Sequence, residues 1–227
     1  MCKRYILKIY FREVKKMKKV LRSFLVLIIF FIAINFQNIA FAQSITVKTF
    51  NYTVKAGDSI WKICEKYQVG VSDVVSVNPQ IPNPNFIYPS QVIKIPDLSE
   101  VKSLESRVIQ LVNSERAKKG LKSLNHNWQL SRVARYKSQD MVVKKYFSHT
   151  SPTYGSPFVM IKTFGINYRT AGENIAYGQR TPEEVMNAWM NSPGHRQNIL
   201  NPSFRSIGVG VAKNSAGQYY WTQMFIG

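Results

Sequence analysis

The sequence predicts a layered α+β fold divided between a small first segment and a larger second segment. In residues 50–96, two strand-like runs enclose two short runs with helical periodicity. After about residue 104, helical patterns come first and two alternating, strand-like runs close the chain. Helices followed by a terminal hairpin are typical of layered α+β domains. A hydrophobic fraction of 45% over 227 residues is sufficient for real cores.

The N-terminus has the pattern of a removable signal peptide. A basic stretch that ends at Arg22 precedes an apolar run over residues 24–36, which is shorter than a membrane span requires. The tripeptide AFA at residues 40–42 supplies the small side chains that a signal peptidase needs. We therefore predict a signal peptide over residues 1–42, a secreted chain that begins at Gln43, and no stable membrane span after cleavage.

Two alternatives remain open for this region. The first is an uncleaved N-terminal anchor, although polar residues interrupt the apolar run (Asn35, Gln37 and Asn38). The second concerns the start of translation, because Met17 and the lysines that follow it would make a normal basic leader without the residues before them. The start codon is therefore either Met1 or Met17.

The charge balance is strongly basic. The chain has 31 Lys+Arg against 12 Asp+Glu; nine bases and one acid lie in the predicted signal, which leaves 22 against 11, or +11. Sixteen of those bases and six acids follow Leu104. Outside a cell the available polyanions are anionic wall polymers, lipid headgroups and acidic glycans, so nucleic acid is not an expected partner. A generic solubilising surface is the alternative, because the lysines are scattered.

The first segment reads as strand, helix, helix, strand. Residues 50–54 have strand composition, and Gly57 in the turn that follows is free to take a positive φ. Asp58 is predicted to cap the first helix and Ser72 the second. The second strand is predicted at 91–95. Cys64 is the only cysteine of the mature chain, and we expect it to be buried rather than reactive. It belongs to the one apolar stripe of the first helix, which consists of Ile60, Ile63, Cys64 and Tyr67.

Three runs in this segment carry a specific family resemblance. They are residues 52–63 (YTVKAGDSIWKI), the pair Asn78-Pro79 and residues 87–96 (IYPSQVIKIP). They resemble the LysM family over the whole of residues 50–96. The resemblance implies a βααβ module that binds glycans containing N-acetylglucosamine, such as peptidoglycan or chitin.

The resemblance also implies a shallow glycan groove between two loops. Backbone donors and acceptors would recognise the acetamido groups, and apolar or aromatic surface would pack on the sugar faces. The alternative for Ile60 and Ile87 is that they belong to the core. The predicted glycan-binding residues are Gly57, Asp58, Ser59 and Ile60 on one side, and Asn85, Phe86, Ile87 and Tyr88 on the other.

A short polar linker at 97–103 is predicted to lead into the second domain, residues 104–227. Within that domain His126 stands between two asparagines in a predicted turn, where it is expected only to be solvated. The predicted helices lie near 103–119, at 129–145 and at 182–191, and the predicted strands lie at 206–212 and 218–226.

Six motifs in the second domain resemble the bacterial branch of the CAP superfamily, which comprises the cysteine-rich secretory, antigen 5 and pathogenesis-related proteins. The resemblance covers the whole domain and implies an α-β-α sandwich with a cleft on one side. The motifs are NSER at 113–116, FSHT at 147–150, AGENIAYG at 171–178, AWMNSPGHRQNIL at 188–200, IGVG at 207–210 and YWTQ at 220–223.

The CAP resemblance implies a cleft built on two histidines and two glutamates, of which this chain has half. His149 and Glu173 match, whereas Ser192 and Tyr220 stand at the other two positions. His195 could replace one function, so these two histidines and Glu173 are the catalytic candidates and the candidate ligands of a divalent cation such as zinc. The alternative is a hydrogen-bonded structural cluster. A Ser192–His195–Glu173 hydrolase triad is a weaker possibility, because no nucleophile-turn pattern surrounds the serine.

Three functions follow from these resemblances. The favoured hypothesis is an extracellular, cell-wall-associated protein that is not an enzyme: the LysM module binds peptidoglycan and presents the CAP cleft to an unknown ligand. The second is a hydrolase that modifies the cell wall through the CAP cleft. The third is a component of spore coat or spore-surface assembly.

Overall fold

The computed structural model describes residues 48–227. The predicted signal peptide and its cleavage site lie outside the described residues. Among the helices of the described part, none combines the length and apolar character that crossing a membrane requires.

The first module has the predicted strand, helix, helix, strand order: β1 (Thr49–Thr53), α1 (Ile60–Tyr67), α2 (Val71–Ser76) and β2 (Val92–Pro96). The two strands pair antiparallel, with Tyr52 opposite Ile93. Inward-facing strand residues pack on the apolar stripe of α1. Cys64 is buried in this core as predicted, and burial raises the pKa of its thiol to about 11, so the thiolate nucleophile is scarce.

Both predicted helix caps are wrong. Ser59 caps α1, because its hydroxyl accepts the Lys62 amide at 3.3 Å, whereas the carboxylate of Asp58 is already occupied by the preceding turn. Gly70 begins α2, and its amide donates at 2.9 Å to the carboxylate of Asp73 three residues later. At α1 the Asp58 carboxylate closes the preceding turn and is not available to cap the helix, whereas Ser72 lies inside α2, whose first residue is Val71.

The second domain alternates helices with strands. The first helix begins at Ser99, inside the predicted linker, because the Asp97 carboxylate accepts the Ser99 amide at 3.1 Å. The elements are α3 (Ser99–Ala117), β3 (Asn125–His126), α4 (Trp128–Lys144), α5 (Pro157–Thr163), β4 (Ala171–Tyr177), α6 (Pro182–Asn191), α7 (Pro193–Ile199), β5 (Ser206–Lys213) and β6 (Tyr219–Ile226).

The predicted α-β-α sandwich is confirmed. The sheet order is β3-β5-β6-β4, with the last three strands antiparallel and β4 at one edge. Because side chains alternate along β6, Trp221 and Phe225 enter the core beneath α3, α6 and α7, whereas Met224 enters the core beneath α4 and α5. Gly208 and Gly210 in β5 let the backbone of α4 approach the sheet closely.

Several elements were not expected from the sequence. The Gly-Glu-Asn segment lies inside the strand β4, and β4, α5 and α7 were not among the predicted elements. Gly172 and Asn174 have low strand propensity, so the strand depends on its pairing with β6 rather than on local preference. The predicted turn around His126 is the short strand β3, and the Nε2 atom of His126 lies 3.0 Å from the Ser131 hydroxyl, so the expectation of a merely solvated histidine is wrong.

The two modules are joined by a polar seam. The Tyr136 hydroxyl on α4 donates to the Asp73 carboxylate at 2.9 Å and lies 3.2 Å from the Ser72 hydroxyl on α2. The Lys102 ammonium on α3 donates to the Tyr67 carbonyl at the end of α1. A Cβ on Gly70 would lie 2.8 Å from the Asp73 carboxylate and closer still to the Tyr136 hydroxyl, so a larger residue would have to displace these two side chains.

Candidate functional site

The predicted glycan groove begins at a fixed bend. Gly57 has φ +82°, with open space where a Cβ would stand, and its carbonyl accepts the Lys62 ammonium at 2.8 Å. The Asp58 carboxylate accepts the Tyr52 hydroxyl and the Lys55 amide, each at 2.8 Å. These bonds to one carboxylate lower the pKa of Asp58, so the bend carries a fixed negative charge.

The opposite side of the groove presents two aromatic rings on an anchored loop. Phe86 is 63% exposed and Tyr88 is 67% exposed. Their backbone is nevertheless held, because the Phe86 amide donates to the Asn83 carbonyl at 3.1 Å and the Tyr88 amide to the Gln91 side chain at 3.0 Å. Exposed aromatic rings on an ordered backbone are typical of binding surfaces.

Two predicted groove residues face inward. Ile60 is buried, and Ile87 is partly buried against the LysM core, so the core alternative holds for Ile60. Trp61, which was not among the predicted residues, is largely exposed instead. The helical stripe could have indicated this, because position 61 lies off the face that Ile60 and Cys64 share.

In the CAP cleft, His149 and Glu173 form a close pair. The Nδ1 atom of His149 lies 2.7 Å from Oε1 of Glu173; the imidazole side chain is 54% exposed and the carboxylate side chain 2% exposed. Burial raises the pKa of Glu173, although the hydrogen bond from His149 and the charge of Lys137 partly oppose the rise. Within residues 48–227, Oε2 of Glu173 is buried with no hydrogen-bond partner. Such an orphan oxygen suits a water or a reacting group.

A buried lysine holds the loop that carries His149. Lys137 on α4 is fully buried, and its ammonium donates to the carbonyls of Ser148 at 2.7 Å and His149 at 2.8 Å. It also donates to the Tyr146 hydroxyl at 3.1 Å. The backbone on which the imidazole stands is therefore fixed by charge-assisted hydrogen bonds from the helix below.

A buried carboxylate one turn further along α4 completes this support. Asp140 accepts the hydroxyls of Tyr146 at 2.7 Å, Ser151 at 2.6 Å and Thr153 at 2.6 Å. Sequence reasoning missed both charged residues. The signal was present, because Lys137 lies on the same helical face as the buried residues of α4 (Leu130, Val133, Ala134 and Met141), and a charge on that face needs partners.

A network of amides ties α7 to the edge strand. The Asn174 side chain donates to the Gln223 side chain at 3.0 Å and to the His195 carbonyl at 3.1 Å. The Asn198 side chain donates to the Asn174 side chain at 2.9 Å and to the Glu173 carbonyl at 3.1 Å. His195 is thus held by its backbone, and burial, followed by the charge of His149, lowers the pKa of its imidazole.

The predicted metal ligands do not assemble into a metal site. Across residues 48–227, no group of three or more His, Cys, Asp or Glu side chains is arranged to hold a metal ion, so His149, Glu173 and His195 do not form one. A tight site usually needs three protein ligands, and the structure joins only His149 with Glu173. The residues present therefore do not fit the zinc that the resemblance implied.

The hydrolase triad is not assembled either. Ser192 joins two helices, since it ends α6 and begins α7, and its amide donates to the Trp189 carbonyl at 3.2 Å. In the described part of the chain, its hydroxyl makes no hydrogen bond to His195 or Glu173. The His149–Glu173 pair is thus the part of the predicted chemistry that the fold brings together.

The fold and these two sites define a two-domain protein. A small βααβ module precedes an α-β-α sandwich, and the cleft of the sandwich contains a histidine–glutamate pair. Residues 109–225 match the sequence profile of the Cysteine-rich secretory protein family (CAP), and residues 52–96 match that of the LysM domain. The chain belongs to the CAP family and carries a LysM domain before the CAP domain, which confirms both resemblances.

Individual relatives agree with this assignment. The uncharacterized protein YkwD of Bacillus subtilis (strain 168) is 60% identical over 129 residues, which cover 57% of this chain and 49% of YkwD. The crystal structure of an extracellular protein containing a SCP domain from Bacillus anthracis str. Ames is 32% identical with TM-score 0.52, covering 61% of this chain and 47% of that one. An outer surface protein from Borrelia burgdorferi, at 22% identity and TM-score 0.51, shares the fold over 57% of this chain and 94% of its own. The chain thus spans about half the length of YkwD.

Proposed function

We propose that this is an exported, cell-wall-associated protein whose LysM domain binds the N-acetylglucosamine glycan of peptidoglycan and holds the CAP cleft against the wall. The observation that carries the proposal is the pair of open rings, Phe86 and Tyr88, on an anchored loop opposite the Gly57–Asp58 bend. Rings of this kind can pack on sugar faces.

The surrounding charge supports the same location. Lys62 and Lys66 lie on α1 beside the bend, and the second domain is strongly basic. Anionic wall polymers would add a salt-sensitive, long-range attraction to the glycan contact. The relative from Bacillus anthracis is itself described as extracellular. No observation supports the spore-surface alternative, which stays a prediction of the sequence.

Replacing both groove rings should weaken binding to peptidoglycan. In the double variant Phe86→Ala/Tyr88→Ala we expect about a thirtyfold loss of affinity or more, because central aromatic contacts typically contribute more than about 1 kcal/mol each. Sedimentation of the protein with purified, insoluble peptidoglycan measures this. Both rings are exposed, so the fold should be retained.

Phe158→Ala is the matched control, since this ring is also exposed (47%) but lies on α5 in the CAP domain. Equal sedimentation of wild type, double variant and control would contradict the proposed role of the groove. If the control alone lost sedimentation, the binding surface would lie around Phe158 in the CAP domain instead of in the LysM groove.

A second candidate function, hydrolysis of wall material, is favoured by the His149–Glu173 pair. An ionised Glu173 accepts the Nδ1–H of His149 and leaves Nε2 as the basic nitrogen on the exposed side of the ring. That nitrogen would take a proton from water while the water oxygen attacks the scissile carbon, and would return the proton to the leaving group. His149 is the catalytic residue of this candidate, and Glu173 is the residue that positions it.

If the pair hydrolyses the wall, soluble muropeptides or reducing ends should appear, and His149→Ala or Glu173→Gln should abolish them. Release should increase as pH rises through the raised pKa of Glu173, above its ordinary 4.5, because the base form needs the ionised carboxylate. Thr150→Ala, an exposed neighbour in the same loop, is the control. Absence of any release by the wild type would leave binding as the function.

A further inference from the structure

Three aromatic rings form a continuous row beside the CAP cleft, and two of the three are exposed. The Tyr177 ring centroid lies 4.6 Å from that of Tyr220 and 6.1 Å from that of Phe147. Phe147 is 52% exposed and Tyr177 is 39% exposed. We call these three residues the aromatic row. Rings in mutual contact usually bury their faces, so an open row is a feature that needs an explanation.

The aromatic row lies on the same face of the sheet as the acidic member of the pair. Tyr177 and Glu173 are four residues apart in β4, so their side chains point to one face, and Tyr220 pairs directly with Tyr177 across to β6. Phe147 precedes His149 by two residues in the loop held by Lys137. The row therefore extends the surface that begins at the His149–Glu173 pair.

Two positions on the sheet edge next to the pair are obstructed against an added peptide strand. β4 is the edge strand, and two of its outward carbonyls are already occupied: Asn198 donates to the Glu173 carbonyl at 3.1 Å and the Trp189 indole donates to the Ile175 carbonyl at 3.2 Å. A peptide that joins a sheet edge needs such acceptors for its own amides. Strand addition is therefore obstructed at these two positions, and the contacts that the row itself offers to a ligand are side-chain faces.

A saccharide fits this surface better than a lipid. Lipid chains are bound by enclosed apolar walls, whereas the faces of Phe147 and Tyr177 are open to solvent. Two of the three rings also carry hydroxyls, which can exchange hydrogen bonds with a sugar while the ring face packs on its C–H groups. The position of Tyr220 adds to this argument, because the CAP resemblance leads one to expect a histidine there, and this chain has a flat stacking ring in its place.

We propose that Phe147, Tyr177 and Tyr220 form a sugar-stacking subsite, so that the CAP cleft itself takes a pyranose ring of an amino-sugar glycan next to His149 and Glu173. The inference rests on the proposed function, since LysM binding would bring the same polymer to the cleft. It goes beyond that function by giving the cleft a ligand class and a second glycan contact.

The test separates the two glycan contacts. In the full chain carrying Phe86→Ala/Tyr88→Ala, a soluble N-acetylglucosamine tetramer is titrated while NMR follows the ring signals of His149 and the aromatic row. We expect these signals to shift in that background and the apparent affinity to fall about tenfold on adding Tyr177→Ala. Tyr177→Phe, which keeps the ring face, should retain most of the affinity, and Phe158→Ala should have no effect.

The outcomes distinguish the subsite from the LysM proposal. Shifts confined to the LysM groove of the wild type, with His149 and the row unmoved, would overturn the subsite and leave the proposed function intact. Shifts at the row without any response in the LysM groove would support the subsite and refute LysM binding. Shifts at the row with phosphatidylglycerol vesicles or an apolar peptide, but not with the tetramer, would overturn the sugar assignment. Folding of each variant is checked by its far-UV circular dichroism.

Discussion

Gly210→Ala is expected to destabilise the CAP domain by about 3 kcal/mol or more, which is a large part of the net stability of an ordinary domain. A Cβ at this position of β5 would lie 2.6 Å from the Ala134 carbonyl and closer still to the Arg135 amide, both in the backbone of α4. A backbone cannot rotate away as a flexible side chain can. The whole helix would have to retreat from the sheet, and the bond between the Ser138 hydroxyl and the Gly210 carbonyl at 3.1 Å would lengthen with it.

Thermal or urea unfolding of the purified protein measures this loss. Gly194→Ala is the matched control, because a Cβ there meets nothing within 4 Å and α7 is helical, so the variant should unfold within about 0.5 kcal/mol of wild type. A Gly210→Ala protein as stable as the control would show that α4 does not contact the strand as described. It would also weaken the explanation of how Lys137 reaches the cleft.

Lys137→Met should release the His149 loop and cost about 2–4 kcal/mol of stability. Methionine keeps most of the buried stem but removes the ammonium, which leaves the Ser148 and His149 carbonyls without their donor. It also leaves the Asp140 carboxylate buried without the nearby positive charge. The imidazole should then lose its fixed position against Glu173.

Amide hydrogen exchange measures the loop separately from global stability. Protection of the Ser151 amide, which donates to the Gly155 carbonyl at 2.8 Å, should fall more than protection in β5 and β6. Lys144→Met is the control, since that residue lies on the exposed side of the same helix. Unchanged exchange in the loop of the Lys137→Met protein would mean that His149 is positioned by Glu173 alone.

More of the fold than of the candidate site could be predicted from the sequence. Apolar periodicity located α6 at its observed bounds and placed the terminal strands within one or two residues, because both signals depend on nearest neighbours in the chain. β4 was not predicted, because its Gly-Glu-Asn sequence is a poor strand and becomes one only by pairing with β6. The cap at Asp58 was wrong because its carboxylate closes the preceding turn, and the cap at Ser72 was wrong because α2 already begins at Val71.

Within the site, sequence motifs supplied His149 and Glu173 but not what holds them. Their 2.7 Å contact joins residues from a loop and an edge strand, and only the folded chain shows it. Lys137 and Asp140 lie outside the matched motifs, although a charge on a buried helical face is a detectable signal. Tyr177 and Phe147 belong to matched motifs, but the spacing of the motifs does not show that their rings are neighbours. Their contact depends on how the loop that carries Phe147 packs beside the edge strand β4.

The Asp73–Tyr136 seam has a mechanical consequence. Hydrogen bonds from α4 to α2 join the two modules directly, and both belong to one unit of the structure. A loosely tethered pair of binding domains samples many spacings and loses entropy when it settles on one. Contacts between the modules restrict those spacings, so less entropy would be lost if both sites engaged one polysaccharide.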